Sequence, residues 1–244
     1  MQVNVWTVLL MASITAIATG LGALPFFFIR QFSRRWIGTF NALAGGLMFG
    51  ASYGLVNEGV ELDLGLLLAG VLAGLTIITL LNKRLQQGKG EYVEAFQGSG
   101  GAKSLLIVAI MTIHSFAEGV GIGVAFGGGE TLGLFITAAL SIHNIPEGLA
   151  ISLVLVPRGV SPGKAALWSV FSSIPQPIMA VPAFLLVTVF QPFLPFGLGL
   201  AAGAMMWMVF AELVPDALND ISAEAVGITI TLAFVGMIAL QTLL

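Results

Sequence analysis

The chain has 244 residues, 57% of them hydrophobic and only 9% charged, with a formal net charge of −3. A soluble domain carries about 25% charged residues, so this composition excludes a mainly water-facing surface and implies a multi-span membrane protein. The small net charge gives no basis for a nucleic-acid partner, and the absence of cysteine excludes disulfides and thiolate ligands.

A helix crosses the hydrocarbon core with about 20 mainly apolar residues. Eight such stretches are predicted, at 3–29, 37–57, 64–82, 104–126, 131–156, 164–190, 194–214 and 222–243. They make one transmembrane domain over 1–244, all-α and polytopic. The first stretch has no basic leader and is too long for a signal peptide. The longest polar stretch is a predicted loop at about 83–103. It has no histidine, so it is not a metal-loading loop.

Every Lys and Arg falls in an odd-numbered connection. Arg30, Arg34 and Arg35 follow the first span, Lys83, Arg84, Lys89 and Lys103 the third, and Arg158 and Lys164 the fifth. Basic residues favour the cytoplasmic side, so both termini are predicted to face outward. The connections on the other side hold Glu58, Glu61, Asp63 and Glu130. The last inner connection is the exception, with Asp216, Asp220 and Glu224 and no basic residue.

The chain repeats itself. Ala44–Gly59 aligns with Ala202–Ala217, matching Gly45 to Gly203, Met48 to Met206, Leu55 to Leu213, Val56 to Val214 and Glu58 to Asp216. Pro25-Phe26 and Pro182-Ala183 match more weakly. Spans four and five share His-x-x-x-Glu-Gly. Each matched pair is an odd number of spans apart, so its members run in opposite directions. That pattern predicts inverted repeats, which place a binding site near the midplane.

The two histidines carry the chemistry. His114 precedes Glu118, and His143 precedes Glu147, each pair inside an apolar span. Residues four apart share one helix face. Ionisable groups within a span are costly and mark function. Two imidazoles and two carboxylates on neighbouring helices suit Zn²⁺, with Mn²⁺, Fe²⁺, Co²⁺ and Cd²⁺ as further candidates. A glycine follows each glutamate, which predicts close helix packing there. Pro146 predicts a kink beside the site and an unpaired Ile142 carbonyl.

At these residues the chain resembles the ZIP (Zrt/Irt-like) family of divalent metal transporters. The His-Asn-Ile-Pro-Glu-Gly run at 143–148 is the most specific element of that resemblance, which covers nearly the whole chain. The resemblance implies a 3+2+3 helix arrangement and passage of Zn²⁺ or a similar ion toward the cytoplasm. It implies that His114, Glu118, His143 and Glu147 are midplane ligands, joined by Met48. Ser115, Asn144 and Gln176 stand where some members hold a second metal. Here all three are neutral, so one tight site and a weak or absent second are expected. Glu212 and Asp216 are implied along the cytoplasmic exit. A homodimer in the plasma membrane is a further expectation, with the ion as cargo and no prosthetic group.

Two rival readings share the same residues. An intramembrane zinc metalloenzyme needs a spare base, and there is no His-Glu-x-x-His motif. A passive metal channel on the same scaffold is not separated from a carrier by sequence.

Overall fold

The computed structural model describes residues 3–29, 33–87 and 101–243, and among them no strand forms. The helices are α1 (Val5–Gly20), α2 (Pro25–Phe28), α3 (Arg34–Leu62), α4 (Leu64–Gln87), α5 (Gly101–Gly128) and α6 (Glu130–Leu155). Then come α7 (Pro162–Ser172), α8 (Pro175–Leu185), α9 (Val187–Phe190), α10 (Leu194–Met208), α11 (Val214–Asp220) and α12 (Ala223–Leu243). Local chemistry sets their starts. Asn4 caps α1 by accepting from the Thr7 amide, and Ser33 and Ser161 do the same for α3 and α7. Such a cap contributes about 1 kcal/mol. Between α5 and α6 the chain reverses at Gly129, whose φ of 135° favours glycine.

Among the described residues, six stretches are long and apolar enough to cross a membrane: Val5–Phe28, Leu64–Arg84, Ile107–Gly128, Glu130–Arg158, Val187–Asp220 and Ala223–Leu243. The predicted second and sixth spans fall short, each for a physical reason. α3 is long, but its glycines, Asn41 and two glutamates dilute the apolar content. The sixth is interrupted at Ser173-Ile174, ahead of Pro175 and Pro177, neither of which can donate a backbone bond.

The polar loop predicted at about 83–103 is shorter than expected. α4 continues to Gln87 and α5 begins at Gly101, while 88–100 lie outside the described residues. Lys83, Arg84 and Gln86 are good helix formers, so the helix runs on past its apolar part. α6 also stays helical through Pro146.

The packing follows a pattern. α5 packs on α8, α10 on α4, α12 on α3 and α6 on α1. Glycines set the closest approaches. A β-carbon on Gly46 would lie 2.6 Å from the Ile230 carbonyl oxygen, and one on Gly199 would lie 2.1 Å from that of Leu67. Without a hydrophobic drive between helices in lipid, such close backbone contact is what holds them together. Exchanging span 1 with 6, 2 with 7, 3 with 8 and 4 with 5 turns the α1–α6 contact into α8–α5. It likewise turns α4–α10 into α12–α3, and α5–α10 into α6–α3. All six contacts are present.

Candidate metal centre

The site lies where α5 and α6 face each other. His114 and Glu118 are one turn apart on α5, and His143 and Glu147 are one turn apart on α6. All four are buried, with relative exposures of 0–4%. Each can offer one ligand atom such that the four atoms lie within 4.8 Å of one another.

The glycines after the glutamates act differently from expectation. They do not face each other across the α5–α6 contact. A β-carbon on Gly119 would sit 2.5 Å from the Gln176 carbonyl oxygen of α8, and one on Gly148 would sit 1.7 Å from the Thr19 carbonyl oxygen of α1. Each bare backbone therefore admits an outer helix, and α8 and α1 clamp the α5–α6 pair from either side.

The interatomic distances carry the chemistry. His114 Nε2 lies 2.9 Å from Glu147 Oε1 and 3.5 Å from Glu118 Oε1. His143 Nε2 lies 3.3 Å from Glu147 Oε1 and 3.9 Å from Glu118 Oε1. The two Nε2 atoms are 3.4 Å apart, and the rings are near-parallel at 20°. Yet Glu118 Oε1 and both oxygens of Glu147 are buried and receive no in-line hydrogen bond. The two imidazoles are thus within hydrogen-bond reach of each other, while the carboxylate oxygens that face them are left without an in-line donor. Tetrahedral Zn²⁺ with bonds of about 2.0–2.1 Å needs ligand atoms about 3.3 Å apart, and these five edges straddle that length. Two buried carboxylates are expensive without a compensating charge, which a divalent cation supplies.

A cavity of about 490 Å³ leads to the cluster. His114, Glu118 and His143 form part of its wall, and Glu58, Leu62, Gly128, Leu132 and Gln241 line it farther out. These outer residues belong to the C-terminal ends of α3, α5 and α12 and the start of α6. The cavity thus reaches the face opposite the basic connections. On the other side of the cluster, Ile107, Ile110 and Met111 of α5 pack with Ile151, Val154 and Leu155 of α6 and Met205 and Met208 of α10. The site is open toward one face and sealed by apolar side chains toward the other.

The family model described as ZIP Zinc transporter matches residues 67–243. This chain belongs to the ZIP zinc transporter family. An Arabidopsis thaliana protein with a provisional zinc-transporter name is 47% identical over 245 aligned positions, 99% of this chain and 39% of its own length. The zinc transporter GufA of Myxococcus xanthus is 33% identical over 223 residues, 85% of this chain and 87% of its own. Zinc transporter ZIP11 of Xenopus tropicalis is 32% identical over 170 residues, 67% of this chain and 48% of its own. The chain thus spans well under half of the Arabidopsis relative and most of the bacterial one.

The remaining predicted residues of this ZIP chain are spread unevenly. Gln176 touches the cluster directly, its Nε2 donating to Glu118 Oε2 at 2.5 Å. Asn144 lies behind it, donating to Gln176 Oε1 at 3.1 Å and to the Thr15 carbonyl at 2.8 Å. Ser115 is fully buried, and its hydroxyl has no hydrogen-bond partner among the described residues. Met48 is buried in the apolar core of α3 and is not part of the cavity wall. Glu212 and Asp216 are half-buried beyond the apolar seal, outside both the cluster and the cavity wall.

Two features escape sequence reasoning. Thr15 of α1 reaches Gln176 across 161 positions of sequence. A threonine in an apolar helix usually bonds its own preceding turn, so nothing in the sequence distinguishes this one. The second is the π-helical turn Val209–Leu213, where the Val214 amide bonds the carbonyl of Val209. Pro215 was the available signal, because its ring disfavours an α-helical carbonyl at Ala211.

Proposed function

We propose that this chain is a carrier of divalent metal cations, Zn²⁺ foremost, that moves the ion toward the cytoplasm. His114, Glu118, His143 and Glu147 serve as the ligands at the midplane. The observation that carries this reading is the convergence of four buried side chains, with glutamate oxygens that receive no in-line hydrogen bond, at the base of a one-sided cavity. The zinc-transporter names of the relatives support the choice of ion.

The ion enters from the cavity face, loses its water and binds the four ligands. Its charge offsets those of the glutamates. One helix group then rocks against the other, the apolar seal parts, and Glu212 and Asp216 receive the ion on its way out. Met48 joins the site by its thioether as the helices shift. Metal displaces protons from its ligands, so uptake depends on pH. The sealed inner side favours a carrier over an open channel, and nothing in the cluster provides the spare base a hydrolase needs.

Eight spans in a 3+2+3 inverted-repeat arrangement fit the paired contacts between helices. Both termini then face outward from the plasma membrane, with the basic connections in the cytoplasm.

The test is radiometal uptake into proteoliposomes. His143→Ala and Glu147→Ala are each expected to abolish Zn²⁺ uptake while the protein still inserts. Wild-type uptake by either variant contradicts the assignment.

A further inference from the structure

Glu118 has two oxygens, but only one is available to the shared centre. Gln176 Nε2 holds Oε2 at 2.5 Å, while Oε1 faces both imidazoles. The direction of the Gln176 amide is fixed from behind. Its Oε1 lies 2.6 Å from the Thr15 hydroxyl and 3.1 Å from Asn144 Nδ2. Asn144 cannot turn over, because its Nδ2 also donates to the Thr15 carbonyl, and an oxygen there would meet two acceptors. The Thr15 hydroxyl has two acceptors in reach, Gln176 Oε1 at 2.6 Å and the Ala12 carbonyl at 2.8 Å, and the first is the shorter. Thr15, Asn144 and Gln176 are all fully buried, so water is not at hand to replace any of them.

We infer that Thr15, acting through Gln176, is a positioning residue that keeps Glu118 a one-oxygen ligand and so sets which ion the site prefers. A Gln176 amide held as donor offers no lone pair to a cation. It also stops Glu118 from closing on an ion with both oxygens. Four single ligand atoms suit Zn²⁺, which is satisfied with four neighbours in a tetrahedron. They suit Mn²⁺ poorly, because that ion favours six oxygen-rich neighbours. Releasing Oε2 adds an oxygen ligand and shifts the balance toward Mn²⁺. The inference rests on the metal-carrier reading above.

The experiment compares radiolabelled Zn²⁺ and Mn²⁺ uptake in proteoliposomes containing the wild-type chain, Thr15→Val, Thr15→Ser and Gln176→Leu. The readout is the ratio of the two KM values, which a general loss of folded carrier does not move. Outer-shell partners of metal ligands typically affect affinity by about 10–100-fold, so the Zn²⁺ preference is expected to fall by about tenfold in Gln176→Leu and by a smaller, measurable factor in Thr15→Val, where Asn144 still donates to the Gln176 oxygen. Thr15→Ser keeps the hydroxyl and is expected to keep the preference. X-ray absorption of Zn²⁺-loaded Gln176→Leu is expected to show an added oxygen neighbour, and this holds even if Thr15→Val fails to insert. An unchanged ratio with an unchanged zinc shell overturns the inference, as does equal loss in Thr15→Val and Thr15→Ser. A wild-type chain that binds no zinc contradicts the carrier reading itself, and is told apart by that control.

Discussion

Gly148 shows how little tolerance the site has at the level of single residues. A β-carbon there would lie 1.7 Å from the Thr19 backbone oxygen, and backbone cannot move aside as a flexible side chain can. Gly163, by contrast, has open space around it. Gly148→Ala is therefore expected to destabilise the protein by about 1–3 kcal/mol, the usual cost of overpacking. It should also lower Zn²⁺ affinity, since α6 is displaced along with Glu147. Gly163→Ala is expected to be neutral. Thermal unfolding in detergent, with and without Zn²⁺, checks both, and equal stability of the two variants contradicts the packing argument. At this scale the four cluster residues were legible in the sequence, because a histidine and a glutamate four apart in an apolar run share a face. Which helix each glycine admits was not legible, because that depends on partners far along the chain, Thr19 for one and Gln176 for the other.

The helices that break are as informative as those that run straight. Two missing donors within one turn, at Pro175 and Pro177, separate α7 from α8, and Gln176 between them lies against Glu118. On the other half of the molecule Pro215 accompanies the π-turn Val209–Leu213, which carries Glu212. π-turns of this kind recur at functional sites. Pro215→Ala restores an amide and allows an α-helical turn, which rotates Glu212 by about 100° relative to what precedes it. Zinc binding at the cluster is expected to persist, while the uptake rate falls severalfold. Equilibrium binding and initial-rate uptake measured on the same preparation check this, and an unchanged rate contradicts a role for the turn in the exit path. The sequence signalled the prolines but not their outcome. Pro146 lies inside α6, which stays helical, while Pro175 opens a new helix. The difference comes from the second proline and the paired serines before it, not from proline alone.

For the molecule as a whole, the arrangement of charge and the paired contacts describe one object. Among the described residues, the helix ends that carry Arg34, Arg35, Lys83, Arg84, Arg158 and Lys164 lie at one end of the helices by chain order, and the cavity opens at the other. The all-helical, membrane-spanning character was readable because charge and apolar length are local properties. The cavity and the apolar seal opposite it were not readable, since both arise from residues distant in sequence. Cysteine is absent, so single cysteines can be introduced without background. Leu132→Cys, on the cavity wall, is expected to react with a membrane-impermeant thiol reagent added outside intact cells. Lys164→Cys is expected to react only after the membrane is opened. The reverse result contradicts the proposed orientation.

The central claim is that the imidazoles of His114 and His143 and the carboxylates of Glu118 and Glu147 share one transported ion. Anomalous diffraction at the zinc edge from Zn²⁺-soaked crystals tests it most directly. The account predicts one strong peak about 2.0–2.2 Å from an atom of each of the four residues. A transport-competent protein whose zinc peak lies elsewhere, with the cluster unoccupied, would contradict it.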